Sequence, residues 1–327
     1  MPSTPLPPTR KPKPNAEVAR SQGPSARPTT TTPTDRAGYE AQRDAVRPKP
    51  QGGGLFGWLF GGRGAGGSGG ADIQSPELRA AIADANSNPD GILRARQLIE
   101  EMGDQLPPQE RAEAYRQLAA APSYRSQRDN AKDPDSTCNF TSQAMAFEAL
   151  GINYRENKRG KQAEEQLYDR FYAKGMGSRT NEADRMKLAR DQGLDARQLD
   201  TPAFGGAGDA KQWFETKVLP QLQAGASATM GIQSGAFRHV VRVQWIDASG
   251  ILTDDPWGAP AGNETGDFGY TKLNTPGGDG QKRLGQDQQG VGNDRVIPWA
   301  TVAKIMSNRY VQLYNASAAK VAGKRPA

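Results

Sequence analysis

The chain reads as an α+β protein, with helices first and an antiparallel sheet after them. Three observations carry this expectation. Apolar positions recur at helical spacing through most of residues 75–223. From residue 226 they alternate instead, at the period of a β-strand. Asp247-Ala248-Ser249-Gly250 then reads as the turn of a hairpin joining two such runs. Helices followed by strands, rather than alternating with them, define the α+β class.

Residues 1–73 precede the patterned region. The first 51 are rich in Pro, Thr, Ser and Arg and have no apolar periodicity, so they bury too little surface to offset chain ordering and are expected to be disordered. The whole chain is only 35% hydrophobic, with a mean hydropathy of −0.77, which fits a partly unfolded length. A Gly-rich stretch, 52–70, encloses Leu55-Phe56-Gly57-Trp58-Leu59-Phe60. This group is either a short motif for a docking or delivery partner, a membrane surface or export, or a sticky spot in a linker. The docking motif is preferred, because exposed aromatics are hazards unless used.

Helical patterning begins at Ser75-Pro76-Glu77, a serine N-cap with proline at the first helical position. Two more helices are expected at 92–102, stopped by Gly103, and at 109–120, stopped by Pro122. Residues 74–122 thus form a helical region packed on the domain that follows, and nothing in them demands a pro-segment.

The main domain spans 123–315. Helices are expected at 138–150, 161–173, 181–191 and 210–223, and strands at 226–232, 237–246, 251–254 and 310–314. A short helix at 299–306 precedes the last strand. The Gly- and Gln-rich segment between Gly258 and Asp294 is too long for an ordinary hairpin, and loops of that length serve as lids or simply move. Residues 316–327 form a disordered basic tail.

Charge and composition exclude several classes. The net charge is +6 and the pI about 9.3. Residues 1–73 hold ten Lys or Arg against five Asp or Glu, and Lys320, Lys324 and Arg325 lie in the last twelve residues. The stretch between is slightly acidic, so no nucleic-acid groove is read from the basicity. One cysteine allows no intrachain disulfide, and one cysteine with one histidine a hundred residues away supplies no zinc site. No cofactor or metal is expected. There is no phosphate loop, Asp133-x-Asp135 lacks the rest of a calcium loop, and no repeat is apparent. Asn139-Phe140-Thr141 matches a glycosylation sequon by chance. Residues 1–14 lack the apolar core of a signal peptide and no run approaches a membrane span, which leaves localisation unknown, a cytoplasmic stage before non-classical export or injection being one route.

The candidate chemistry centres on Cys138 and His239. Cys138 follows the turn Asp133-Pro134-Asp135-Ser136 and opens a helix whose Met145, Ala149 and Leu150 share an apolar face, ended by Gly151. A helix N-terminus favours a thiolate, because unpaired N–H groups and the helix dipole stabilise negative charge. The bland alternative for a lone cysteine is a small buried hydrophobe. His239 lies in Phe237-Arg238-His239-Val240-Val241-Arg242-Val243, on the strand face of Val241, Val243 and Trp245. A histidine there is ordinarily structural, yet it is the only histidine, and a thiol needs a base near neutral pH. A carboxylate at the end of the returning strand, Asp254 or Asp255, is placed to orient the imidazole. A two-residue turn puts Asp254 on the histidine's face and a three-residue loop puts Asp255 there.

Together these residues resemble the C39-like cysteine peptidases, a branch of the papain-like fold. Tyr124-Arg125-Ser126-Gln127-Arg128-Asp129 is similar to the family's opening Gln-x-Asp element, whose glutamine supplies the oxyanion hole. Cys138 through Gly151 is similar to the nucleophile helix, and His239 with its Val-rich strand to the histidine strand. Asp255-Pro256-Trp257-Gly258 is similar to the Asp-Pro element, which favours Asp255 as the third partner. Asn139 departs from the glycine that many members carry there, and the gap from Gln127 to Cys138 is long. The resemblance covers roughly 124–315.

The resemblance implies a nucleophile helix packed on an antiparallel sheet, and a Cys138–His239–Asp255 triad hydrolysing peptide bonds with Gln127 as oxyanion donor. Peptide, protein or peptidoglycan is the implied substrate class. The alternatives are a deamidase or acyltransferase toxin or effector on the same fold, and a non-catalytic binding domain.

Overall fold

In a computed structural model of the chain, the structure describes residues 72–127, 130–154, 161–235, 237–257 and 294–316. All of these belong to one unit, residues 67–327. The expectations for residues 1–71, 258–293 and 317–327, including the aromatic group at 55–60, lie outside the described residues.

Among the described residues three helices come first: α1 (Pro76–Ala85), α2 (Pro89–Met102) and α3 (Pro108–Ala120). Each starts with proline, whose missing N–H is unneeded in a first turn. Ser75 Oγ accepts from the Leu78 N–H, and Asn88 Oδ1 from the Asp90 N–H, as N-caps do. Leu78, Ile82, Ile92, Ile99, Tyr115 and Leu118 close a core between them.

This helical region is bolted to the rest by buried arginine. Arg96 is 7% exposed and donates from Nε to the Ala149 carbonyl at 2.7 Å and from Nη2 to the Gly225 carbonyl at 2.6 Å. Gly151, with φ +80°, lets the chain turn where a Cβ would meet the Leu93 backbone at 2.9 Å.

The remaining helices are α4 (Cys138–Glu148), α5 (Ala163–Ala173), α6 (Glu182–Asp191), α7 (Ala207–Lys217), α8 (Leu219–Gln223) and α9 (Trp299–Ile305). The single helix expected at 210–223 is two, because Pro220 removes a helical N–H and its ring opposes the carbonyl four residues back. The sheet has six strands: β1 (Leu194–Asp200), β2 (Ser227–Ser234), β3 (Phe237–Ile246), β4 (Gly250–Asp254), β5 (Arg295–Pro298) and β6 (Tyr310–Ala316). Their order is β1-β6-β2-β3-β4-β5, and every pairing is antiparallel.

Both faces of the sheet are covered. Val311 and Leu313 of β6 join the core made with α7, α8 and α9, whereas Tyr314 joins the core of α4, α5 and α6. Strand alternation sends neighbouring residues to opposite cores. Hence β3 beyond Arg238 is buried on both sides, and Arg242, opposite the face of Val241 and Val243, is 0% exposed.

Candidate active site

The position of Cys138, the candidate nucleophile, follows from a turn and a helix start. Ser136 N–H donates to the Asp133 carbonyl at 2.8 Å, closing the expected turn, and Thr141 N–H donates to the Thr137 carbonyl at 3.1 Å. Cys138 is therefore the first residue of α4, partly exposed. Its N–H is one of the four at a helix start that have no intrahelical acceptor. Behind it Phe140, Ala144 and Phe147 are fully buried and fix the helix on the fold. Burial of that size contributes about 1.5–3 kcal/mol for each large side chain.

His239 is 3% exposed on β3, opposite Ile232 of β2. Its Nε2 lies 2.8 Å from Asp255 Oδ1. The thiol of Cys138 and the imidazole are close enough to shift each other's titration through charge and hydrogen bonding. With Nε2 held by Asp255, Nδ1 is the nitrogen left for the sulfur. The structure thus brings Cys138, His239 and Asp255 into one chain of contacts.

The electrostatics favour a thiolate–imidazolium pair. Burial alone would push the Cys138 thiol up. The charge and hydrogen bond of His239, the Val240 backbone and the charge of Arg185 outweigh it and bring the thiol below its ordinary value. For His239, burial opposes the charged form, but Asp255 and Cys138 raise it to about 10.

Asp255 rather than Asp254 meets the histidine because of a bulge. Asp247 N–H donates to the Gly250 carbonyl, so the hairpin tip is a two-residue turn at Ala248-Ser249. That turn alone would put Asp254 on the histidine's face. The register shifts between Val243 and Trp245, however, so Asp254 pairs with Arg242. One extra residue exchanges the faces of everything beyond it. Asp254 then takes Arg242 Nη1 at 2.7 Å and Gln244 Nε2, while Asp255 Oδ1 also accepts from the Trp257 N–H at 2.9 Å.

Gln127 lies against the same loop. Its backbone N–H donates to the Pro256 carbonyl at 2.8 Å, and Tyr124 Oη donates to the Asp255 carbonyl at 2.7 Å. The Gln127 side chain is 1% exposed, and its Nε2 donates to the Pro134 carbonyl at 2.7 Å. One of its two amide hydrogens is thereby committed to the turn before Cys138. Asp129 of the Gln-x-Asp element lies outside the described residues. Asn139, the departure from glycine, donates to the Arg179 carbonyl at 2.7 Å.

Sequence reasoning missed Arg185 and Tyr310, which both act electrostatically on or from Cys138. Arg185 stands in a polar helix, where nothing distinguishes it from a surface arginine. Among the described residues no group of three or more His, Cys, Asp or Glu is placed to hold a metal ion, and no helix is long and apolar enough to cross a membrane. Comparison with protein-family models and with curated proteins gives no match to this chain.

Proposed function

We propose that the protein is a papain-like cysteine peptidase of the C39-like kind, cutting peptide bonds in peptide, protein or peptidoglycan substrates. The observation that carries this reading is the continuous Cys138–His239–Asp255 contact chain, with the sulfur at a helix start and the imidazole held from behind. A helix bearing the nucleophile packed on an antiparallel sheet bearing its base supports the papain-like assignment.

The Cys138 thiolate attacks the carbonyl carbon, and the carbonyl electron pair moves to oxygen. The Cys138 N–H and the uncommitted amide hydrogen of Gln127 are the donors proposed for that oxyanion. His239 gives its Nδ1 proton to the leaving amine as the C–N bond breaks, leaving a thioester. Neutral His239 then takes a proton from water, whose oxygen attacks the thioester, freeing the acid and regenerating the Cys138 thiolate beside the imidazolium. Asp255 holds the ring and balances the imidazolium throughout.

The test is a panel of peptides, folded proteins and peptidoglycan fragments, incubated with the protein and with Cys138→Ala and analysed by mass spectrometry. New amine and acid termini that depend on Cys138 support peptide-bond hydrolysis. Conversion of glutamine side chains to glutamate with release of ammonia assigns the same triad to deamidation. Absence of any Cys138-dependent product contradicts both.

A further inference from the structure

A second cation stands beside the nucleophile. Arg185 of α6 is 3% exposed. Its Nη1 donates to the Arg179 carbonyl at 3.1 Å, its Nη2 donates to Tyr310 Oη, and its guanidinium carbon lies 5.2 Å from the centre of the Tyr310 ring. Nε has no hydrogen-bond partner, and among the described residues no carboxylate forms an ion pair with this side chain. A guanidinium buried without a counter-ion is costly, so folds ordinarily provide one.

The attachment of Arg185 leads to Cys138. Asn139, the residue after the nucleophile, donates to the same Arg179 carbonyl that Arg185 uses. Gln143, farther along α4, donates to the Arg185 carbonyl at 3.1 Å. On the other side Tyr310 leans over Gly231, where a Cβ would meet the ring at 2.3 Å, so only glycine leaves the ring this room. The titratable groups acting on the sulfur are His239 of β3, with Asp255 behind it, and Arg185 of α6, while Tyr310 of β6 feels Arg185, Glu182 of α6, Cys138 and Tyr314. Burial holds the Tyr310 hydroxyl well above its ordinary value, so it stays neutral and does not balance the arginine. The Arg179 guanidinium keeps its charge but is directed to the Ser136 carbonyl and hydroxyl.

We propose that Arg185 is a positioning residue whose missing counter-ion is the Cys138 thiolate, a fixed positive charge that favours the ionised sulfur before acylation and again when it leaves the thioester. With it, the charges of Cys138, His239, Asp255 and Arg185 sum to zero. The imidazolium loses its proton to the leaving amine midway through the reaction, whereas a guanidinium does not. The regenerated sulfur therefore leaves the thioester beside a cation. This inference rests on the cysteine-peptidase reading of the same site.

The experiment is the pH profile of Cys138 alkylation by iodoacetamide in the full-length protein, with circular dichroism to confirm folding. Arg185→Met should move the acid limb to higher pH and slow alkylation at fixed acidic pH by roughly tenfold, the order of effect expected when an opposite charge acting on an ionisable group is lost. Arg185→Lys, which keeps the charge, should recover most of that rate. Tyr310→Phe removes the arginine's hydroxyl partner without removing charge and should stay within about twofold of the parent, a small fraction of the charge effect. An Arg185→Met profile like the parent's overturns the proposal, as does a Tyr310→Phe loss equal to that of Arg185→Met, which would mean that geometry and not charge matters. If Arg185→Met does not fold, Arg185→Gln, which keeps a donor for the Arg179 carbonyl, carries the same test. His239→Ala separates the two readings. A profile indifferent to His239 sinks the peptidase reading, whereas one that needs His239 but not Arg185 sinks this inference alone.

Discussion

His239 Nε2 meets Asp255 Oδ1 at 2.8 Å, while the neighbouring Asp254 is turned to Arg242 on the opposite face of the hairpin. Two adjacent buried aspartates thus have separate tasks, and the bulge between Val243 and Trp245 divides them. Asp255→Asn keeps an acceptor for the Trp257 N–H but removes the charge behind the imidazole. We expect activity to fall by on the order of a hundredfold with little change in unfolding midpoint. Asp254→Ala strands Arg242, 0% exposed, and should cost about 3–5 kcal/mol of stability. Thermal melts beside peptidase assays of the two variants check this division.

The pH dependence follows from the two shifted groups. Cys138 lies below its ordinary thiol value, so the rate should rise with pH at an acid limb below the thiol range. His239 is raised to about 10, so its proton for the leaving amine is lost, and hydrolysis falls, as pH passes about 10. Alkylation of the thiolate needs no such proton and should not fall there. The raised value also makes His239 stabilising, fully so below its unfolded value of 6.5 and no longer once pH exceeds about 10. In Asp255→Asn the alkaline limb of hydrolysis should move down from about 10 towards 6.5. Paired profiles of hydrolysis and alkylation read all of these limbs.

Gln127 has two tasks that one variant separates. An oxyanion donor is typically worth roughly 3 kcal/mol, so Gln127→Ala should lower kcat about a hundredfold. The same change frees the Pro134 carbonyl and should lower the melting temperature modestly. A changed melting temperature with an unchanged kcat would make Gln127 a brace of the turn and nothing more.

Arg96 tests whether residues 76–120 belong to the protein's core. Arg96→Met removes two charge-assisted hydrogen bonds, to Ala149 at the end of α4 and to Gly225 before β2. At about 1.5–3 kcal/mol for each bond to a charged group, the loss should be several kcal/mol. Chemical denaturation is the measurement, and a change below about 1 kcal/mol would show that this region is only loosely attached.

Much of this was legible where one strong local pattern decides. Alternation places β3 at Phe237–Ile246, and the turn before Cys138 with Gly151 after it brackets α4. Strands β1 and β5 were not expected, because Asp195, Arg197 and Asp200 make an edge strand that reads as polar chain, and Arg295–Pro298 is short and ends in proline. The choice between Asp254 and Asp255 was not legible from spacing, since a single-residue bulge leaves no signature in composition. Arg185 was hidden for a related reason. Its burial is set by Tyr310, 125 residues away, and no local pattern reports so distant a partner.

The central claim is that His239 makes Cys138 a nucleophile, and the most direct measurement is the rate of iodoacetamide labelling of Cys138 near pH 6, below the ordinary thiol range of about 8.5. The account predicts that the parent protein labels at least about tenfold faster than a folded His239→Ala variant, the size of effect expected when an adjacent opposite charge is removed. Equal rates in the two proteins would contradict it.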